Sequence, residues 1–124
     1  MTPFGQKIRQ LRAERGISLK EMARALEVSQ SYLSALEHGK RGRPSWHLVQ
    51  SIIAFFNIIW DEAEELQQLA RLSHPRIVID TSGLDPKATE LANRLAREIR
   101  GLPEPLLEEL LARLEGKKPP RRSP

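Results

Sequence analysis

The 124-residue sequence contains no cysteine. That excludes disulfides, cysteine-based zinc sites and thiol chemistry, and it fits a reducing compartment. Aromatic residues make up only 5%, so a core has to be built mainly from Leu, Ile, Val and Ala. No apolar run approaches the ~20 residues needed to span a bilayer; the most apolar stretch is Ile52 to Trp60. Met1 to Arg15 carries five charges and no continuous apolar run, which does not read as a signal peptide. A soluble chain with no membrane association, residing in the cytoplasm, is the expectation. The length leaves room for one compact domain, or for a ~60-residue domain with a short second element.

Catalytic constellations are missing too. His38, His47 and His74 fall on different predicted elements without metal-ligand spacing. Glu64-Glu65 and Glu108-Glu109 are adjacent pairs, so each points to different faces of a helix. There is no glycine-rich phosphate cradle. The chain is expected not to be an enzyme and to need neither cofactor nor metal.

What is present is an uneven charge. Residues 1–57 carry nine Lys/Arg against four Asp/Glu, residues 58–115 carry seven against twelve, and the tail carries four basic residues and no acid. A basic first half joined to an acidic second half suggests that only the first half meets a polyanion.

Helix signals are dense. Thr2 and Pro3 open a first helix with Phe4, Ile8 and Leu11 on one side, and Gly16 closes it. Ser18 and Glu21 form a capping-box pair before a short helix carrying Leu19, Met22, Ala23 and Leu26. Ser29 caps a third helix that runs to His38, with Gly39 as its left-handed stop. After the breaker-rich stretch 40–44, Ser45 caps a fourth helix that Asn57 ends, and a fifth is expected after Asp61. Trp46, Phe55, Phe56 and Trp60 are expected to be core or packing residues.

A tight connection between the second and third helices, Glu27-Val28, gives the helix-turn-helix pattern, in which the later helix enters the major groove. At 100° per residue, Gln30, Ser31, Ser34, Ala35 and His38 share one small or polar face, while Leu33 and Leu36 turn to the core. Gln30 suits a bidentate contact to adenine, Ser31 and Ser34 suit several bases, and Ala35 suits a thymine methyl. The same face also fits an ordinary solvated side of an amphipathic helix.

The stretch SLKEMARALEVSQSYLSALEHGKRGRP, Ser18 to Pro44, closely resembles the Cro/C1-type (xenobiotic-response-element) helix-turn-helix family, and the likeness covers residues 4 to 57. The resemblance implies that Gln30, Ser31, Ser34 and Ala35 contact bases of double-stranded DNA. It also implies that Lys40, Arg41 and Arg43 follow the phosphate backbone, with Lys20, Tyr32 and the amide end of the helix at Ser45 as further phosphate contacts. An Arg12–Glu37 salt bridge from helix one to helix three is part of the same pattern. Leu19 departs from it, since many phage repressors carry a phosphate-binding Gln there.

Beyond residue 72, Arg76 to Asp80 is β-branched and short. It fits either a strand needing a partner or an extended linker. Leu91, Leu95 and Ile99 form one helical stripe after Asp85-Pro86, and Leu107, Leu110, Leu111 and Leu114 form another after Pro103. Too little chain remains to bury them, so self-association is expected, with Ile77 and Ile79 pairing across the two-fold axis. A partner protein covering the leucine-rich helices is the alternative, as in an antitoxin or adaptor with DNA binding for autoregulation.

The expected architecture is therefore all-α: a five-helix repressor-like domain over 1–72, then a short β-strand and helical hairpin for dimerisation over 73–115, and a disordered basic tail over 116–124. The expected function is that of a homodimeric transcriptional regulator, a repressor reading a palindromic operator. Such a protein is nucleoid-associated when bound to DNA.

Overall fold

The computed structural model describes residues 1–40 and 44–116. Seven α-helices lie among them: α1 (Pro3–Arg15), α2 (Leu19–Leu26), α3 (Gln30–Glu37), α4 (Trp46–Phe56), α5 (Trp60–Arg71), α6 (Pro86–Glu98) and α7 (Glu104–Leu114), with a 3₁₀ turn over Ile99–Gly101. The chain divides into one compact unit, Met1–Ile77, and a second that begins at Val78.

In the first unit, side chains that compete with the backbone elsewhere are used as caps. Thr2 Oγ1 accepts the Gly5 N–H at 3.0 Å, and Pro3 supplies a helical φ where its missing N–H costs nothing. Ser18 Oγ accepts the Glu21 N–H while the Glu21 carboxylate accepts the Ser18 N–H, a reciprocal capping box. Ser29 and Ser45 accept from the Tyr32 and Leu48 N–H groups in the same manner. Gly16, Glu27 and Asn57 take left-handed conformations at the ends of α1, α2 and α4. Glu27 is the unexpected one, because a non-glycine residue at φ 60 is uncommon, and it makes the three-residue turn into α3 possible.

The five helices bury one apolar core. Phe4, Ile8 and Leu11 of α1 meet Met22 of α2, Leu33 and Leu36 of α3, Val49, Ile52 and Phe56 of α4, and Leu66 of α5. Helix α1 packs on α3 and α5, and α4 packs on α2 and α5. Arg15 donates to the Phe56 carbonyl, and its guanidinium lies 5.3 Å from the centre of the Phe56 ring. Buried Ser73, beyond α5, accepts the Phe4 N–H at 2.9 Å and donates to the Leu69 carbonyl at 2.6 Å.

The second unit has no comparable interior. Neither α6 nor α7 contains a buried residue. Asp85 caps α6 through the Lys87 N–H at 2.7 Å. Asp80 takes hydrogen bonds from the Ser82 hydroxyl and N–H, and these hold its carboxyl below the ordinary aspartate pKa.

Three expectations need correction. Residues 76–80 form no β-strand, and none occurs among the described residues. The chain bends at Pro75-Arg76 and the segment is unpaired, and β-branched content cannot make a strand without a neighbour to complete the ladder. The fold is thus all-helical, without the short strand. Helix α5 starts at Trp60 rather than after an Asp61 cap, with Ile59 at the cap position and no side-chain capping bond. Trp46 and Trp60 are not core: they are 74% and 83% exposed, whereas Phe56 is buried. Each tryptophan stands on the first turn of its helix, beyond the stretch that its neighbours cover. The expected disordered tail lies, from residue 117 onward, outside the described residues.

Candidate nucleic-acid interface

Helix α3 is fixed on its inner side and open on its outer side. Leu33, Leu36 and Glu37 are buried. Gln30, Ser31 and His38 are exposed, and Ser34 and Ala35 are half-buried beside them. The face expected from helical periodicity is therefore brought together on one side of the helix. Its chemistry is one long amide, two hydroxyls and a methyl group, with no carboxylate. His38 Nδ1 lies 2.8 Å from the Ser34 carbonyl, which ties its ring to the end of the helix.

Two contacts hold α3 against α1. The Arg12 guanidinium grips the Glu37 carboxylate with two bonds, Nε to Oε2 at 3.1 Å and Nη2 to Oε1 at 3.0 Å. Near the start of α1, Gly5 lies so close to α3 that a Cβ there would fall 2.0 Å from the Glu37 carbonyl oxygen. Sequence reasoning missed this close approach. Its one signal is a glycine inside a helix, where that residue is otherwise unfavourable.

The basic candidates are distributed around α3. Lys20 is exposed in the first turn of α2, and Lys40 is exposed just past the end of α3. Arg41 and Arg43 lie outside the described residues. Ser45 is exposed at the start of α4, where its hydroxyl caps Leu48. Tyr32 is half-buried. Leu19, at the position of the phage-repressor Gln, is half-buried and packs against the core. The first turns of α2 and α4 present N–H groups with no acceptor inside their helices, the usual basis for meeting an anion.

The residues assigned to dimerisation fall into two sets. Leu91, Ile99, Leu111 and Leu114 are exposed, and Leu95, Leu107 and Leu110 are half-buried. Ile77 and Ile79 are exposed on the unpaired segment described above. No helix among the described residues is long and apolar enough to cross a membrane.

Comparison with known proteins agrees with this geometry. A helix-turn-helix domain family matches residues 3–72. The HTH-type transcriptional regulator SinR of Bacillus subtilis (strain 168) is 33% identical over 92 residues, covering 68% of this chain and 83% of its own length. The HTH-type transcriptional regulator DdrOP3 of Deinococcus deserti is 43% identical over 53 residues, or 43% of this chain and 40% of its own. Among solved structures, a chain of a SinR protein/SinI protein complex aligns over 92% of this chain and 96% of its own at 26% identity, with a TM-score of 0.44. The matched span holds the capped α2–turn–α3 unit and its polar outer face, and the chain belongs to the Cro/C1-type helix-turn-helix family of DNA-binding transcriptional regulators.

Proposed function

We propose that this regulator represses transcription by binding a palindromic site as a homodimer, one α3 in each of two successive major grooves. The observation that carries the reading is the carboxylate-free outer face of α3, set on a helix whose inner face is locked to α1. A rigid helix with Gln30, Ser31, Ser34 and Ala35 outward presents hydrogen-bonding groups and a methyl at a depth that base edges can meet. Lys20, Tyr32, Lys40, Arg41, Arg43 and the helix start at Ser45 supply phosphate contacts, which set position and salt dependence.

Dimerisation rests on the second unit. Helices of 13 and 11 residues with no fully buried side chain are marginal alone in water. A second copy covering Leu91, Ile99, Leu111 and Leu114 would provide the missing burial. A different protein laid on the same face, as in an antitoxin or adaptor, satisfies the same physics and is the second reading.

The test is fluorescence anisotropy with the duplex upstream of the chain's own gene, titrated in parallel with scrambled duplex at several salt concentrations. A specific-to-scrambled ratio that persists at physiological salt supports the regulator with its own operator. Equal, weak binding to both counts against it and moves the weight to a partner-dependent role.

A further inference from the structure

Trp46 is a large aromatic side chain left about three-quarters exposed, at the first position of α4. Aromatic rings at that exposure are costly to leave uncovered and are enriched where a partner covers them. Three observations indicate what covers this one.

The first is charge. Between Glu37 and Asp61 the sequence has no acidic residue, while Lys40, Arg41 and Arg43 fall in the same span. Trp46 thus sits in the longest stretch of the sequence without an acidic residue, and the nearest carboxylate lining the adjoining groove is that of Glu27. The second is position. Ser45 and His47, on either side of Trp46, line a groove with Glu27 and Val28 of the turn between α2 and α3. The first turn of α4 thus lies alongside the helix-turn-helix itself. Trp46 lies six positions beyond exposed Lys40, at most ~22 Å away along the chain, so both can lie along one duplex. The third is the local chemistry. On its other side Trp46 borders a groove with Gln67 and Arg71 of α5, an amide and a cation facing the same opening as the ring.

We infer that the Trp46 side chain packs against the sugar–phosphate backbone of bound DNA, with the amide end of α4 and Arg71 flanking it. The inference rests on the DNA-binding reading above and extends it by a non-ionic contact. The ring covers apolar deoxyribose surface while the neighbouring N–H groups and Arg71 meet phosphate. Such a contact adds affinity without reading sequence. Because it neutralises no phosphate, it releases no counterion.

The chain has two tryptophans, which makes the test direct. In full-length Trp60→Phe, Trp46 is the sole indole. Acrylamide quenching of its emission is measured free and with saturating duplex, with binding followed separately by anisotropy of a labelled duplex. Quenching should fall on binding. In Trp46→Phe, the Trp60 emission should be indifferent to DNA. Trp46→Ala should weaken specific and scrambled duplex alike by about three- to tenfold. Its plot of log affinity against log salt should stay parallel to that of the parent, thermal unfolding should be unchanged, and Phe at 46 should restore most of the loss.

Unchanged quenching of Trp46 on a duplex that anisotropy shows to be bound would overturn the inference and leave DNA binding intact. Protection that grows with protein concentration before any DNA is added would assign the ring to a contact between copies, and also overturns it. Absence of any anisotropy change would remove both this inference and the reading beneath it.

Discussion

Arg12 of α1 and Glu37 of α3 are joined at both ends of their planar groups, at 3.1 and 3.0 Å, with the Glu37 side chain only 3% exposed. Arg12 also donates to the Ile17 carbonyl at 3.4 Å, so one guanidinium ties the α1–α2 connection to the last turn of α3. A carboxylate at that depth depends on its partner. Arg12→Ala is expected to cost roughly 3 kcal/mol, because it strands a buried charge. The double variant Arg12→Met, Glu37→Leu should recover most of that loss, since an apolar pair of similar size has no charge to desolvate. Urea denaturation of the three proteins decides it. A double variant no more stable than Arg12→Ala would show that the pair is not what holds α3 to α1.

Gly5→Ala tests the other contact between these helices. At an ordinary helical position the change should stabilise by about 1 kcal/mol. Here the new Cβ would stand 2.0 Å from the Glu37 carbonyl oxygen, and the obstacle is backbone that cannot rotate away. The sign should reverse, with a loss of roughly 1–3 kcal/mol. A lowered denaturation midpoint is the expected result, together with weaker binding to specific duplex as α3 is pushed outward. A stabilised Gly5→Ala protein would mean that the two helices do not approach in this way.

Ser73 closes the first unit by joining the start of α1 to the end of α5. Ser73→Ala leaves the buried Phe4 N–H without its acceptor, which should cost about 1–3 kcal/mol. Ser73→Cys, which keeps the size but bonds weakly, should fall between. Hydrogen exchange at the Phe4 amide reads the bond directly. Protection unchanged in the alanine variant would argue against it.

Most of the first unit was legible because its helix ends are written in side chains. Thr2, Ser18, Ser29 and Ser45 each cap where the spacing placed them, Gly39 takes its expected left-handed turn, and Gly16 and Asn57 end their helices where expected. The outer face of α3 followed from periodicity alone. What was illegible depends on neighbours far away in sequence. The Gly5–Glu37 approach is a tertiary contact between helices that the local pattern of neither one announces. Trp46 and Trp60 read as core because they are large and apolar, yet whether a helix's first turn is covered is decided by the elements around it. Residues 76–80 have strand composition, but a strand also needs a partner that composition does not supply.

Gln30 and Lys40 should separate the two kinds of DNA contact. Gln30→Ala is expected to cost about 1–3 kcal/mol on the specific duplex and to relax preference at one base pair, with scrambled duplex little affected. Lys40→Ala should weaken both duplexes about equally and reduce the salt slope by roughly one unit. Anisotropy across a salt series measures both. Equal losses on both duplexes for Gln30→Ala would remove it from base reading.

The leucine face of the second unit sets the last expectation. Leu91 and Leu111 are more than half exposed on α6 and α7, so Leu91→Glu and Leu111→Glu disturb little internal packing. Sedimentation equilibrium should show the parent as a dimer and the double variant as a monomer, with the first unit's unfolding unchanged. The monomer should bind a full palindromic site far more weakly, because the second half-site no longer benefits from being tethered to the first. It should bind an isolated half-site about as well as one unit of the parent does. A parent that sediments as a monomer would count against homodimerisation. The face would then fall to the protein-partner reading, in which a different chain covers the same leucines.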